Sequence, residues 1–245
     1  MNSSLIFLIF VLCQPFWIFA QTPLPKPARD LSVGTWKYKE ADVALAGTLQ
    51  GTFSVAIKDE GGAWTVTTAW EFPEGPVTDV STLEKGTLIL RKEAFKHFLH
   101  PDQPWKPVAI NLDFTGNKVT GVMKYVRDKD KPVALDLGGP VFTGPAAWIG
   151  CLPLADGYSA TFHYFDVDRL PIKPQASNKA VQLKVVGTER VTVPAGTFDS
   201  YKVELSSADG RSSKETVWIA KDLRILVKSS GVDELYGAFT TELVP

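Results

Sequence analysis

A recurring period-two alternation of apolar and polar residues is the feature that most constrains this chain. It runs through residues 53–57 and, after the turn DEGG, through residues 64–70. It returns in residues 108–114 and, after the turn TGNK, in residues 119–126. Alternation of this kind puts one face of a strand on a core and the other in solvent. The sequence therefore predicts two β-hairpins in the first half of the chain.

The rest of the chain repeats this pattern and offers few helical signals. Further strands are predicted over residues 87–90, 133–137, 158–165, 181–193, 200–205, 216–220, 225–229 and 235–243. The segment RKEAFKHFL, residues 91–99, combines good helix formers with a Pro at 101, which predicts a helix. The segment PAAWIGCL, residues 145–152, predicts one or two helical turns. These patterns indicate an all-β, mostly antiparallel fold with small helical additions.

The stretch VTVPAGTFDSYKVEL joins two of these strands by a compact turn. Pro194 has no N–H for strand pairing, and Gly196 suits a backbone conformation that a Cβ would oppose. Phe198 is placed to fold back over the hairpin as an apolar cap. The turn rules explain the whole stretch as structure, without a role in chemistry.

The amino-terminal residues predict export to the periplasm or the extracellular space. Residues 1–20 carry no charged side chain and form a short apolar run, typical of a signal peptide cleaved after Ala20. A retained anchor is the alternative, because Pro15 interrupts the run and no Lys or Arg precedes it. Residues 21–30 are Pro-rich and predict an extended linker. Residues 31–245 are predicted as a single β domain, with a split near Gly138 as the alternative.

Composition excludes several classes of function. The chain has 26 Lys plus Arg against 27 Asp plus Glu and no basic block, so nucleic acid is not an expected partner. Once the leader is removed, Cys151 is the remaining cysteine, and no internal disulfide is possible. No membrane span is expected in the mature chain.

Several segments of the second half resemble a known family. The stretch VGTERVTVPAGTFDSYKVEL, followed by ETVWIAKDLRILVKSS and a closing strand through FTTEL, resembles the bacterial domain of unknown function 3108 family. The earlier segment CLPLADGYSATFHYF resembles the leucine-proline-leucine stretch of those proteins. The resemblance implies an antiparallel, curved, half-open β-barrel similar to the lipoprotein carriers LolA and LolB. It carries no catalytic residue, because the family has no established activity.

Candidate enzyme sites are sparse. His97 and His100 would share a face of the predicted helix, but two histidines do not make a zinc site. Asp166 and Asp168 would point to the same side of a strand and are a candidate acid/base pair. The chain has no G-x-S-x-G, Walker or G-x-G-x-x-G motif, and apolar neighbours disfavour a thiolate at Cys151. We therefore expect a protein that is not an enzyme, with no cofactor and no metal.

Abundant aromatic residues favour a hydrophobic ligand. The sequence contains 7 Trp and 14 Phe, more than a lean β-sandwich needs. The expected partner is a lipid or other hydrophobic small molecule, or an envelope protein, bound in the concave face. The residues predicted to line this site are Phe53, Val55, Trp64, Trp70, Ile110, Leu112, Phe162 and Tyr164. Arg169 or Lys173 is placed to meet a headgroup. A carbohydrate-binding module with outward Trp side chains and a hydrolase using Asp166 and Asp168 are the alternatives.

Overall fold

The computed structural model describes residues 23–42, 50–72, 75–97, 106–208, 214–233 and 237–245. These residues form fourteen strands and four short 3₁₀ turns. The strands are β1 (Gly34–Asp42), β2 (Gln50–Asp59), β3 (Ala63–Phe72), β4 (Gly75–Glu84), β5 (Leu90–Lys96), β6 (Ala109–Thr115), β7 (Lys118–Lys124), β8 (Lys131–Asp136), β9 (Ser159–Phe165), β10 (Asn178–Val193), β11 (Gly196–Ser207), β12 (Lys214–Ala220), β13 (Leu226–Asp233) and β14 (Gly237–Val244). The 3₁₀ turns are Pro145–Ala147, Ile149–Cys151, Val167–Arg169 and Pro174–Ser177.

All fourteen strands belong to one open antiparallel sheet. Their order is β8-β7-β6-β5-β4-β3-β2-β1-β14-β13-β12-β11-β10-β9. The first and last strands in sequence therefore pair in the middle, with Tyr38 opposite Leu243. The two edge strands, β8 and β9, are consecutive in sequence. This arrangement confirms the prediction of an all-β, curved and half-open fold.

The predicted hairpins are confirmed. β2 pairs with β3, with Phe53 opposite Trp70, and β6 pairs with β7. β10 and β11 pair from Val181 to the turn at Val193 and Gly196. Gly196 has φ +137°, a conformation that L side chains rarely adopt.

The predicted helix over residues 91–99 is wrong. Its described part is strand β5, paired with β4 on one side and β6 on the other. Glu93 and Phe95 are buried while Lys92 and Lys96 are exposed, so the segment alternates with period two. Pairing on both edges and burial of one face outweigh the modest helix propensity of these residues. Residues 98 and 99 lie outside the described residues.

Three shorter predicted segments have different outcomes. Residues 87–89, predicted as strand, form the connection into β5, in which Leu88 has φ 61°. The helical turns predicted in residues 145–152 are confirmed as the 3₁₀ turns Pro145–Ala147 and Ile149–Cys151. The range predicted as strand from residue 235 begins within residues 234–236, which lie outside the described residues.

The strand ends form two rims, one of which is packed with apolar side chains. Residues 148–154, part of the connection between the two edge strands, lie there, and we call this the closed rim. Trp148 is 1% exposed, stacks on Phe142 at 4.5 Å between ring centroids and meets Phe162 edge-on at 4.9 Å. A Cβ at Gly150 would lie 2.0 Å from the carbonyl oxygen of Arg224, in the β12–β13 turn. The segment is therefore fitted closely against the sheet.

The residues before β1 also attach to the closed rim. The amide N–H of Ala28 donates to the carbonyl of Cys151 at 2.8 Å. The Ser32 hydroxyl donates to the carbonyl of Leu223 at 2.7 Å, and Leu31 is buried. Across the described ranges, none of the helical segments is long and apolar enough to cross a membrane. The predicted signal peptide, residues 1–20, lies outside the described residues.

Candidate functional site

The opposite rim, which we call the open rim, holds a small cavity. Its volume is about 100 Å³. It is lined by Pro145, Tyr164, Val181, Leu205, Ser206, Glu215, Val232 and Phe239. Pro145 precedes the closed rim in the chain, and the other lining residues come from the strands β9 to β14. A single water occupies roughly 30 Å³ of liquid, so the cavity has room for one small group and not for a whole lipid.

The residues predicted to line a ligand site are dispersed. Tyr164 lines the cavity. Trp64, Ile110, Leu112 and Phe162 are buried in the core, each at most 3% exposed. Phe53, Val55 and Trp70 are half-buried and pack against that core. These side chains fill much of the inward face among the described residues.

An aromatic row crosses the sheet between β1 and β3. Tyr38 stacks on Phe53 with ring centroids 5.0 Å apart, and Phe53 meets Trp70 at 6.0 Å. The register sets these three residues directly opposite one another. The Tyr38 hydroxyl donates to the buried carbonyl of Leu226 at 3.1 Å, and burial raises the pKa of Tyr38. Phe53 and Trp70 extend the apolar surface of the core to a partly exposed position.

Two carboxyl groups lie on the inward face of strands β4 and β5. Asp79 on β4 lies between the buried residues Val77 and Ser81 on its strand face, and Glu93 on β5 lies opposite Ser81. Glu93 is 3% exposed, and its Oε2 has no hydrogen-bond partner among the described residues. The Oδ1 of Asp79 is also sealed from solvent and without a partner there. We call Asp79 and Glu93 the carboxyl pair.

Burial sets the protonation of the carboxyl pair. Loss of hydration, followed by the nearby charge of Asp168, raises the pKa of Asp79 to about 7. Burial, followed by the charges of Asp79, Asp168 and Asp166, raises the pKa of Glu93 well above its usual range. The pair therefore retains protons under conditions in which exposed carboxyls are ionised.

The predicted acid/base pair has a different geometry from the one expected. Asp166 and Asp168 do not share a strand face, because residues 167–169 form a 3₁₀ turn after β9. Asp166 accepts from Lys179 Nζ at 2.6 Å and from Arg169 Nε at 3.2 Å. Asp168 is exposed. A carboxylate held by two cations is suited to fixing the turn in place.

Residues 166–177 link β9 to β10 at the open rim, and we call them the cover. The N–H of Asp166 donates to the carbonyl of Ser177 at 2.7 Å, which closes the cover on itself. Its side chains Val167 and Leu170 are buried. Of the two cations predicted to meet a headgroup, Arg169 bonds Asp166 and Lys173 is exposed.

Metal binding and cysteine chemistry find no support in the described residues. No group of three or more His, Cys, Asp or Glu side chains is arranged there to hold a metal ion. His97 contacts Phe95 with ring centroids 6.0 Å apart, and His100 lies outside the described residues. Burial, together with the charge of Asp30, raises the pKa of the Cys151 thiol to about 12.

The sequence analysis did not predict the carboxyl pair, although the alternation in β4 contained one signal for it. In VTDVSTLE the inward positions are Val77, Asp79, Ser81 and Leu83, so a carboxyl interrupts an otherwise buried face. Such an inward polar residue marks a special site. Glu93 was concealed by the helical interpretation of its segment.

The fold and rims define a class of protein: an open, curled, fourteen-stranded β domain whose closed rim is filled by an internal segment. Among solved structures, it is similar to a β-barrel-like protein of domain of unknown function DUF1849 from Brucella abortus. The TM-score is 0.52 and the identity 10%, over 91% of this chain and 98% of that one. At this identity the likeness shows a shared fold alone.

The family model for DUF3108, described as a protein of unknown function, matches residues 36–244, and the chain belongs to this family. A protein with a YmcC-like fold from Bacteroides fragilis NCTC 9343 also aligns. Its TM-score is 0.37 and its identity 11%, over 89% of this chain and 97% of that one. No curated protein matches the chain. The resemblance to the DUF3108 family, noted from the sequence, is confirmed.

Proposed function

We propose that this protein is a non-enzymatic envelope domain that binds the apolar end of a small molecule at the open rim. The observation that carries the proposal is the cavity of about 100 Å³ lined by Tyr164, Val181, Leu205 and Phe239. An apolar group entering such a space leaves water, with about 0.8 kcal/mol gained per buried methylene. Export and residence in the envelope are part of the proposal and rest on the uncharged leader.

Only the apolar end of the proposed ligand enters the cavity, and the rest of the molecule stays outside it. The core behind the cavity is occupied by Phe142, Trp148 and Phe162, each about 1% exposed. Only the first few carbons of a chain fit before the space is full. The rest of the ligand lies outside the cavity, next to Lys179, whose Nζ is 5.6 Å from the Tyr164 ring centroid. The half-open β-barrel that the family resemblance implies, similar to the fold of the lipoprotein carriers LolA and LolB, is compatible with a lipid-like ligand that has such an apolar end.

The positions of the tryptophans favour an apolar ligand over a carbohydrate. Trp64 and Trp148 are buried, while Trp36 and Trp70 pack against the core. Trp218 is half-buried and packs against the core, and its Nε1 donates to the carboxylate of Glu189. A sugar-binding platform uses aromatic rings in an exposed row, and the described tryptophans do not form one. Trp105 lies outside the described residues.

A chain-length series tests the proposal. Binding of straight-chain carboxylates from butyrate to decanoate is measured by calorimetry at constant ionic strength. The affinity is expected to rise about fourfold per methylene and then level off once the cavity is full. An affinity that keeps rising through decanoate contradicts the small-cavity account, and no binding by any member contradicts the proposal.

Two variants locate the binding. Val181→Phe fills the cavity and is expected to weaken hexanoate binding at least tenfold. Leu223→Phe adds the same ring at an exposed position of the closed rim and is the matched control. Equal effects of the two substitutions would place the binding elsewhere.

A further inference from the structure

The wall of the open-rim cavity includes a carboxylate. Glu215 lines the cavity and is the second residue of β12. The alternate positions that follow it, Val217 and Ile219, are fully buried, and alternate residues of a strand share a face. Glu215 is paired with Leu205 on β11, which also lines the cavity. A carboxylate therefore lies on an otherwise apolar inward face, one residue from the start of its strand.

A glycine keeps the space beside this carboxylate open. The residue opposite Glu215 on β13 is Gly231, and Phe239 on β14 is next in the same cross-strand row. A Cβ at Gly231 would lie 3.1 Å from the Cβ of Glu215 and 2.7 Å from the carbonyl oxygen of Lys214. No side chain of this row therefore separates Glu215 from Phe239, and both line the cavity. The apolar space and the carboxylate are parts of one site.

The cation nearest to the ring of Tyr164 is bonded to another group. Lys179 Nζ lies 5.6 Å from the Tyr164 ring centroid, but it also lies 2.6 Å from Oδ2 of Asp166. Its charge is thus balanced by a carboxylate of the cover, whereas Glu215 is in the cavity wall itself. A carboxylate accepts several hydrogen bonds at once, so Glu215 can accept one from a bound group in addition to its contacts within the protein. The polar part of the site therefore favours a headgroup that donates.

We propose that Glu215 selects ligands in which the apolar chain carries a cationic, hydrogen-bond-donating headgroup, such as a primary ammonium. The inference rests on the proposed function, since it concerns the headgroup of the molecule whose apolar end fills the cavity. Because Glu215 lies near the strand end, it reaches a headgroup held just outside the cavity. An ammonium donates to it in a charge-assisted hydrogen bond, and an anionic headgroup on the same chain is repelled.

A headgroup series at constant chain length tests this selection. Hexylamine, hexanol and hexanoate are titrated into the full chain at pH 7 and low ionic strength, with binding measured by calorimetry. Hexylamine is expected to bind at least about fivefold tighter than hexanoate, with hexanol between them, and the ratio is expected to fall as salt is added. Equal affinities, or tighter binding of hexanoate, overturn the selection and leave the proposed function in place. No binding by any of the three overturns both.

A neutral isostere assigns the selection to Glu215. Glu215→Gln keeps the shape of the side chain and is expected to lower the ratio of hexylamine to hexanoate affinity to about twofold or less. Glu204→Gln removes an exposed carboxylate of β11 and changes the net charge by the same amount, so it is the matched control and is expected to keep the wild-type ratio. A preference for hexylamine that persists in Glu215→Gln, or that is lost equally in Glu204→Gln, overturns the role of Glu215.

Discussion

The two rims differ in how the space inside them is filled. At the closed rim, Trp148 and the residues after it bury apolar side chains, and the Trp148 Nε1–H donates to the carbonyl of Thr143 at 3.0 Å. The open rim contains a cavity, and elsewhere on the inward face, on β4 and β5, the carboxyl pair has unpartnered oxygens. A surface optimised for stability alone would not bury such groups. The difference supports the proposal that the open rim binds a ligand, whereas the closed rim maintains the fold.

The largest expected effect is at the closed rim. Trp148→Ala removes a ring that contacts both Phe142 and Phe162, and we expect a loss of about 3–5 kcal/mol in the free energy of unfolding. Trp70→Ala, at a half-buried position, is the matched comparison, with an expected loss of about 1–2 kcal/mol. Chemical denaturation measures both. Equal losses would remove the distinction between a packed rim and a partly open one.

The second effect is the pH dependence of stability that comes from Asp79 of the carboxyl pair. The folded-state pKa of Asp79, about 7, lies above its ordinary value of 3.8, so between these values the folded protein binds more protons than the unfolded chain. The contribution of Asp79 to the free energy of unfolding is full below about pH 4 and falls as the pH rises to about 7. We expect a loss of roughly 2–4 kcal/mol across this window.

Asp79→Asn tests this assignment by urea denaturation at pH 5 and pH 8. The variant is expected to be more stable than wild type at pH 8 and close to it at pH 5, since the amide never ionises. Asp136→Asn replaces an exposed carboxylate and is the control. A stability advantage that does not depend on pH would refute the titration of Asp79.

A smaller effect is expected at the β10–β11 turn, which belongs to the closed rim. The N–H of Ala195 donates to the carbonyl of Leu243 at 3.2 Å and docks the turn on β14. Gly196→Val forces a branched side chain into φ +137°, with an expected loss of about 1–3 kcal/mol. Phe198→Ala is expected to lose about 1–2 kcal/mol, because its ring is only half-buried. Unchanged thermal unfolding of both variants would show that the turn is incidental.

The smallest effect is expected between the rims. Lys228 Nζ lies 2.8 Å from Glu242 Oε1, with both side chains about a third exposed. We expect Lys228→Ala to change the free energy of unfolding by less than about 0.5 kcal/mol, because partly exposed ion pairs contribute little. A loss above 2 kcal/mol would show that the middle of the sheet carries stability assigned here to the closed rim.

Much of the fold could be predicted from the sequence, because strands buried on one face leave a period-two pattern. The hairpins around DEGG and TGNK were found in this way. Residues 91–96 were assigned to a helix, because a single segment does not reveal the two strands that pair with it. The filling of the closed rim was also hidden, since PAAWIGCL predicts its turns but not the rings that surround Trp148.

The candidate site was harder to predict than the fold. Tyr164 was placed in the ligand site and lines the cavity, but Phe239 and Leu205 come from strands far along the chain. Their meeting depends on how the sheet curls, which alternation does not encode. The carboxyl pair depends on the register of β4 with β5, which sets Ser81 opposite Glu93.

Methyl NMR during a titration with hexanoate is the most direct test of the claim that the open rim binds an apolar group. The account predicts saturable shifts of the Val181 and Leu205 methyls, which line the cavity, and little change at Leu152 and Leu154 of the closed rim. Shifts centred on Leu152 and Leu154, or no saturable shift at Val181 and Leu205, would contradict it.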